Sequence, residues 1–483
     1  MYRISKKGEQ FLSPYISCFK TNYMRNILHA FKMFLVLSFM LIIGSCEKDY
    51  FLEPPPPPPI PTSEMTSTLE AVLVTTPPIA IGSAYWKTAD YLKIIATNVS
   101  INQLYGDGLL NMTGSFYGLT SFNNGTANPS LTLKAAYDND QLYILAEWTD
   151  LDLDVSNSSW LYNGPIDPLK TDATGGWTSQ RNSDRLAFAF EISNASSAAG
   201  TFSSVGCAAS CHTSGSMSWM FPDAGKVDLW NWSLARSAPL GYAEDMIANS
   251  DSLAFDEGQQ IHMRNSTGSS DRSGPAYEWD GTSQTITLPT GQSSILDPAF
   301  YLFNKTVFSG DARRGDSIYH RLSPPGDCVD CHGARGEGGS AGAINQISQN
   351  KKSRTTLISS MDNVSDMTTY WGPLGSAERD DIVAYLRGLS GVPGYYLVTP
   401  DGSNANIKAI SNVTPIQIKN AMLPVTNQHT TYQVLITRKL KTNHADDAQF
   451  DLSIESTYKF GVALMDNDGK NHIGSTIETL TFK

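Results

Sequence analysis

From about Ala80 to Phe303, apolar and polar residues alternate with a period of two. Leu131-Thr-Leu133-Lys-Ala135-Ala-Tyr137 runs out, Asp138-Asn139-Asp140 turns, and Leu142-Tyr-Ile144-Leu-Ala146-Glu-Trp148 runs back, which predicts a hairpin. Leu186-Ala-Phe188-Ala-Phe190-Glu-Ile192 predicts another strand of the same kind. After Pro393 the alternation returns in Tyr432-Gln-Val434-Leu-Ile436, in Tyr458-Lys-Phe460-Gly-Val462-Ala-Leu464 and in Ile477 to Phe482. No helical periodicity of useful length interrupts either stretch, so the expectation is an antiparallel sandwich with long loops.

Between them the pattern changes. Ala312-Arg-Arg-Gly315-Asp-Ser-Ile318-Tyr319 reads as a short helix, followed by glycine-rich residues 333–342. Ser376-Ala-Glu378-Arg-Asp380-Asp381-Ile382 through Leu389 has an N-cap residue, acids in its first turn and an apolar stripe at Ile382, Leu386 and Leu389. Residues 307–392 are thus a small helical unit. The glycines form no dinucleotide fingerprint, because no strand precedes them.

The first 80 residues set the expected compartment. Lys32 precedes the apolar run Met33 to Ile43, which is too short to span a bilayer and suits a signal peptide over residues 1–45. Ile43-Gly44-Ser45-Cys46 resembles a bacterial lipobox, with Cys46 as the lipidated residue, and Met24 is an alternative start. Pro54 to Pro59 then hold polyproline II at about 3.1 Å per residue, so residues 46–79 read as a stiff tether. Beyond residue 45 there are 29 basic against 46 acidic residues. That surface disfavours nucleic acid and anionic membranes and suits a basic redox partner, or serves solubility alone.

Cysteine spacing supplies the candidate chemistry. Cys328-Val-Asp-Cys331-His332 has the spacing of covalent c-type haem attachment, with His332 as the proximal iron ligand. Cys207-Ala-Ala-Ser-Cys211-His212 repeats it with one extra residue. Apart from Cys18 in the leader and Cys46, these four are all the cysteines of the chain. Two disulfides would explain the even number but not the histidine after each second cysteine. Zinc is the remaining alternative for the motifs. Asp150, Asp152 and Asp154, and Asp466-Asn-Asp468, are read as strand-end and turn residues before calcium ligands, and His320 and His472 as surface or structural residues.

A family resemblance joins the two alternating stretches. Ala135-Ala-Tyr-Asp with Glu147-Trp148-Thr-Asp150, Met220 with Gly225-Lys-Val-Asp228-Leu-Trp230-Asn-Trp232, Ala235-Arg236 with Glu244-Asp245, and Arg438-Lys-Leu440-Lys-Thr442 with Asp446-Asp447 and Phe450 resemble one domain. It is the haem-binding domain of the γ-subunits of ethylbenzene dehydrogenase and related dimethyl sulfoxide reductase-type enzymes, here similar to its c-type members. The resemblance implies a sandwich in two parts, 80–306 and 393–483, with residues 307–392 similar to a class I cytochrome c. It implies Met220 as the second ligand of the first haem, with Met217, Met246, His262 and Met263 as alternatives. In the inserted segment it implies Met367, with Met361 as runner-up. Asn231 stands where many c-type relatives have histidine.

The resulting expectation is a mixed fold, an antiparallel β-sandwich haem-binding domain interrupted by a small all-α cytochrome c domain. Its function would be that of an exported, lipid-anchored dihaem cytochrome in the periplasm or at the outer-membrane surface. It would carry two covalently attached haem c, pass electrons to a respiratory redox partner, and perform no catalysis itself, although it could be a subunit of an oxidoreductase complex. The alternative is a haem enzyme or a gas or peroxide sensor with an open axial site.

Overall fold

In the computed structural model, residues 63–96, 115–118 and most of 130–483 are described; the longer gaps fall at 151–154, 165–175, 207–221, 257–260, 268–273, 399–404, 419–426 and 467–470. Ten strands form a ring. In chain order they are β1 (Leu69–Leu73), β2 (Ser130–Tyr137), β3 (Gln141–Asp150), β4 (Arg185–Ser197), β5 (Ala224–Ser233), β6 (Tyr242–Asn249), β7 (Ile407–Ile418), β8 (Asn427–Lys439), β9 (Thr457–Asp466) and β10 (Glu478–Phe482).

The spatial order is β9-β10-β1-β2-β3-β8-β7-β6-β5-β4, and β4 pairs back onto β9 from Arg185↔Met465 to Phe190↔Phe460. Only β10–β1 and β1–β2 are parallel pairs in this ring. The expected hairpin is β2–β3, with Leu131 opposite Trp148 and Tyr137 opposite Leu142. Its turn is built by Asp138, whose carboxylate accepts from the amides of Asp140 and Gln141 and from the Tyr143 hydroxyl, each at 2.8 Å.

Alternate residues point into the ring and fill it: Leu133, Ile144, Trp148, Phe188, Phe190, Trp230, Trp232, Val434, Val462 and Leu480 belong to one buried cluster. Trp148 stacks on Tyr432 at 4.7 Å and meets the edge of Trp232 at 5.9 Å. Such pairs contribute about 0.5–1.5 kcal/mol each beyond their buried area. The interior is therefore a packed core.

This corrects the expected sandwich. A sandwich and a barrel share the same period-two alternation, and what separates them is whether the outer strands find each other. Here the β4–β9 pairing closes the ring, so the protein is a mostly β molecule built on a closed ten-stranded barrel.

The α-helices between residues 312 and 390 are α1 (Ala312–Tyr319), α2 (Val329–His332), α3 (Arg354–Asp362) and α4 (Ser376–Ser390). Asp311 caps α1 by accepting from the Arg313 amide at 2.9 Å, and its own amide donates to Asp381 of α4 at 2.7 Å. Gly315 permits that helix crossing, since a Cβ there would stand 2.0 Å from the Asp381 carbonyl oxygen. The N-cap of α4 is Gly375 rather than Ser376, and Glu378 reaches back to accept from the Gly375 amide at 3.2 Å.

These helices do not make an independent all-α domain, which corrects that half of the expectation too. Their buried cluster includes Trp160, Tyr162 and Trp177 from strand segments far earlier in the chain. Buried Glu278, from the strand Tyr277–Trp279, binds Arg354 at 2.6 Å and Arg387 at 3.6 Å. Helices and barrel belong to the one compact unit Thr62–Lys483. Among the described residues no helix is long and apolar enough to cross a membrane.

Candidate functional site

The Cys328 motif sits on the single turn α2, placed by its neighbours. The Cys328 amide donates to the Tyr319 carbonyl at 2.8 Å at the end of α1, and the Cys331 and His332 amides both donate back to the Cys328 carbonyl. Gly333 ends the turn at φ 82°, a left-handed value that suits glycine, and its carbonyl accepts from the Tyr319 hydroxyl at 2.7 Å. The turn is thereby held from both sides.

Cys328 and Cys331 are free thiols, both partly buried. Burial, with Asp327 and Cys331 nearby, pushes the Cys328 thiol up to about 12. It is neutral at physiological pH and is not an activated nucleophile. His332 is oriented by its Nδ1–H, which donates to the Gly342 carbonyl at 2.8 Å. A carbonyl only accepts, so the proton lies on Nδ1 and Nε2 keeps its lone pair for a ligand. Met367 ends a short 3-10 turn (Ser365–Met367) and packs, with Met361 and Cys328, against the cluster formed by α1, α3 and α4. Cys328 and Met367, far apart in sequence, thus meet one core.

Cys207, Cys211, His212, Met217 and Met220 lie outside the described residues, as does Cys46. The alternatives to Met220 are described. His262 is buried, with Nε2 3.1 Å from Glu244 and Nδ1 2.7 Å from the Tyr242 hydroxyl; burial lowers its pKa against the opposing pull of Glu244. Met246 packs on the outer face of the barrel sheet, and Met263 is exposed beside the Tyr396 hydroxyl. Asn231 donates to Glu244 at 2.7 Å. His320 bonds Asp316 and the Ala334 carbonyl.

A second polar group lies inside the barrel. Arg438 of β8 binds Asp228 of β5 at 3.0 Å and Asp447 at 3.3 Å, with its guanidinium 5.0 Å from the centre of the Trp230 ring. Asp245 and Asp256 complete its surroundings, and burial, then Asp228, raises Asp245 well above the usual carboxylate range. The sequence carried a signal for these residues. Asp228 is in phase with Trp230 and Trp232, Asp245 with Ala243, and Arg438 with Val434 and Ile436, so each charge stands where its strand faces inward.

The family model described as Ethylbenzene dehydrogenase matches residues 83–476, spanning α1 to α4 and eight of the ten barrel strands. No curated protein matches the chain. The match carries the name of a dehydrogenase, and this overturns the expectation of a non-enzymatic dihaem cytochrome. The cofactor expectation is corrected with it: the family implies the molybdenum cofactor of an oxidoreductase, not two covalently attached haem c. The electron-carrier and cytochrome c descriptions are withdrawn on the same ground, together with the sensor alternative. The donors described here do not fit molybdenum. Cys328 is held as a neutral thiol, and the Asp228, Asp245 and Asp447 carboxylates are shut inside the barrel beside Arg438. By the match over residues 83–476, the chain belongs to the ethylbenzene dehydrogenase family.

Proposed function

We propose that the chain is a subunit of a cell-envelope oxidoreductase of the ethylbenzene dehydrogenase type, comparable to the γ-subunits that the sequence resembles. The observation that carries the proposal is the family match across residues 83–476. The whole enzyme would oxidise a reduced organic substrate of the alkylaromatic class. Cys46 would anchor the subunit through lipid, and the proline-rich segment would lift it toward a redox partner.

Within the subunit, the α2 turn is the proposed redox site. Cys328, Cys331 and His332 on that turn, with Met367 from the same helical core, are its sulfur and imidazole side chains. The hydrogen bond that orients His332 on the Gly342 carbonyl supports this reading. The helical core, closed by Trp160, Tyr162 and Trp177, is the body that holds the site.

The test uses the full chain, tagged and isolated from membranes with whatever it binds. Ethylbenzene-dependent reduction of an artificial acceptor should co-purify with it. Cys331→Ser and His332→Ala should each lower turnover about a hundredfold or more while the barrel melts as before. Undiminished turnover in membranes from a strain deleted for this chain would refute the reading.

A further inference from the structure

The carboxylates around Arg438 outnumber the charge that Arg438 brings. Asp228, Asp245, Asp256 and Asp447 are each at most 3% exposed. Arg438 takes one oxygen of Asp228 and one of Asp447, and its Nη1 donates to the Ala448 carbonyl at 2.9 Å. The Ala448 amide donates to that same Asp228 oxygen at 2.9 Å. This leaves Asp228 Oδ1 and both oxygens of Asp245 without a hydrogen-bond donor. A buried, uncompensated carboxylate costs several kcal/mol, so something further must neutralise the group.

Geometry indicates what. Oxygens of Asp228, Asp245 and Asp447 all lie within 4.8 Å of one another, and so do oxygens of Asp256, Asp446 and Asp447. Asp447 belongs to both sets and links them. Carboxylate oxygens this close can share a calcium ion, whose flexible shell at about 2.3–2.6 Å tolerates irregular placement, whereas magnesium demands a near-ideal octahedron. Every donor is a carboxylate oxygen, the class that calcium selects. Asp446 is only partly buried and gives the site an edge toward solvent.

We propose that Asp228, Asp245, Asp256, Asp446 and Asp447 bind one calcium ion. The ion ties β5, β6 and the segment after it to the β8–β9 connection. It stands apart from the α2 turn and does not depend on the redox reading.

Trp230 supplies the probe, because the indole lies beside Arg438 and can sensitise terbium bound among these carboxylates. The chelator-stripped full chain at neutral pH should show terbium emission on indole excitation, displaced by calcium. Its melting temperature should rise with calcium. Asp245→Asn and Asp446→Asn should each weaken calcium binding roughly tenfold or more. If Asp245→Asn does not fold, the partly exposed Asp446→Asn decides alone. Absence of both the emission and the melting shift, or calcium affinity unchanged in Asp446→Asn, would overturn the proposal.

Discussion

Arg387 of α4 is 2% exposed, and its Nε lies 3.6 Å from Oε2 of Glu278, whose other oxygen holds Arg354 at 2.6 Å. One buried carboxylate thus fixes two helices to the β part of the molecule. Burial lowers Arg387 to about 10 even with Glu278 beside it. Glu278→Ala strands that guanidinium, and the expected cost is about 3–5 kcal/mol. Denaturant unfolding followed by near-ultraviolet circular dichroism measures it; a cost below about 1 kcal/mol would mean that the pair is not desolvated.

Gly388 is a second contact of the same kind. A Cβ at this position would stand 2.4 Å from Cβ of Tyr162, so α4 can lie against that strand only with glycine here. Gly388→Ala should destabilise the protein by about 1–3 kcal/mol through overpacking, despite alanine's better helix propensity. Thermal unfolding would show a stabilised protein if propensity prevailed.

Asp311 caps α1 and also donates its amide to Asp381. Asp311→Ala removes the side-chain cap and a long, exposed ion pair to Arg314 at 3.9 Å, and the expected loss is about 1 kcal/mol, nearly all of it from the cap. Hydrogen exchange should show faster exchange at the first amides of α1 with β2 and β3 unchanged; equal protection in both proteins would assign the cap no weight.

The β2–β3 turn gives a pH dependence. Burial acts to raise the Asp138 carboxyl, but the Asp140 and Gln141 amides and the Tyr143 hydroxyl outweigh it and hold the pKa below the ordinary 3.8. A group depressed in the folded state contributes stability above its unfolded pKa and loses it as pH falls through the folded value. The contribution of Asp138 should therefore be complete above about pH 5 and decline below 3.8. Acid titrations of wild type and Asp138→Asn should converge at low pH; a constant gap would show that the hydrogen bonds outlast the charge.

Much of the local structure was legible in the sequence, because local structure depends on neighbours. The β2–β3 register follows from alternation around Asp138-Asn139-Asp140, and Ile382 and Leu386 of α4 are buried as their spacing required. The closed ring was not legible: β4 and β9 alternate identically whether they pair with each other or lie in facing sheets. Nor was the dependence of the helices on the rest, since Trp160, Tyr162 and Trp177 look like ordinary strand residues until α4 covers them. At the α2 turn, the position of Cys328 could be read from spacing, whereas the orientation of His332 is set by the Gly342 carbonyl, ten residues on.

Ring closure also constrains how the chain is made. β4 is synthesised before the helices, and its partner β9 after them. Until β9 arrives, one side of β4 is an open edge able to pair with any neighbouring strand. A chain crossing a membrane from its N-terminus would expose that edge throughout delivery of the helical segment. Holdases able to cover such an edge, and not the tempo of local folding, would then govern the yield of native protein.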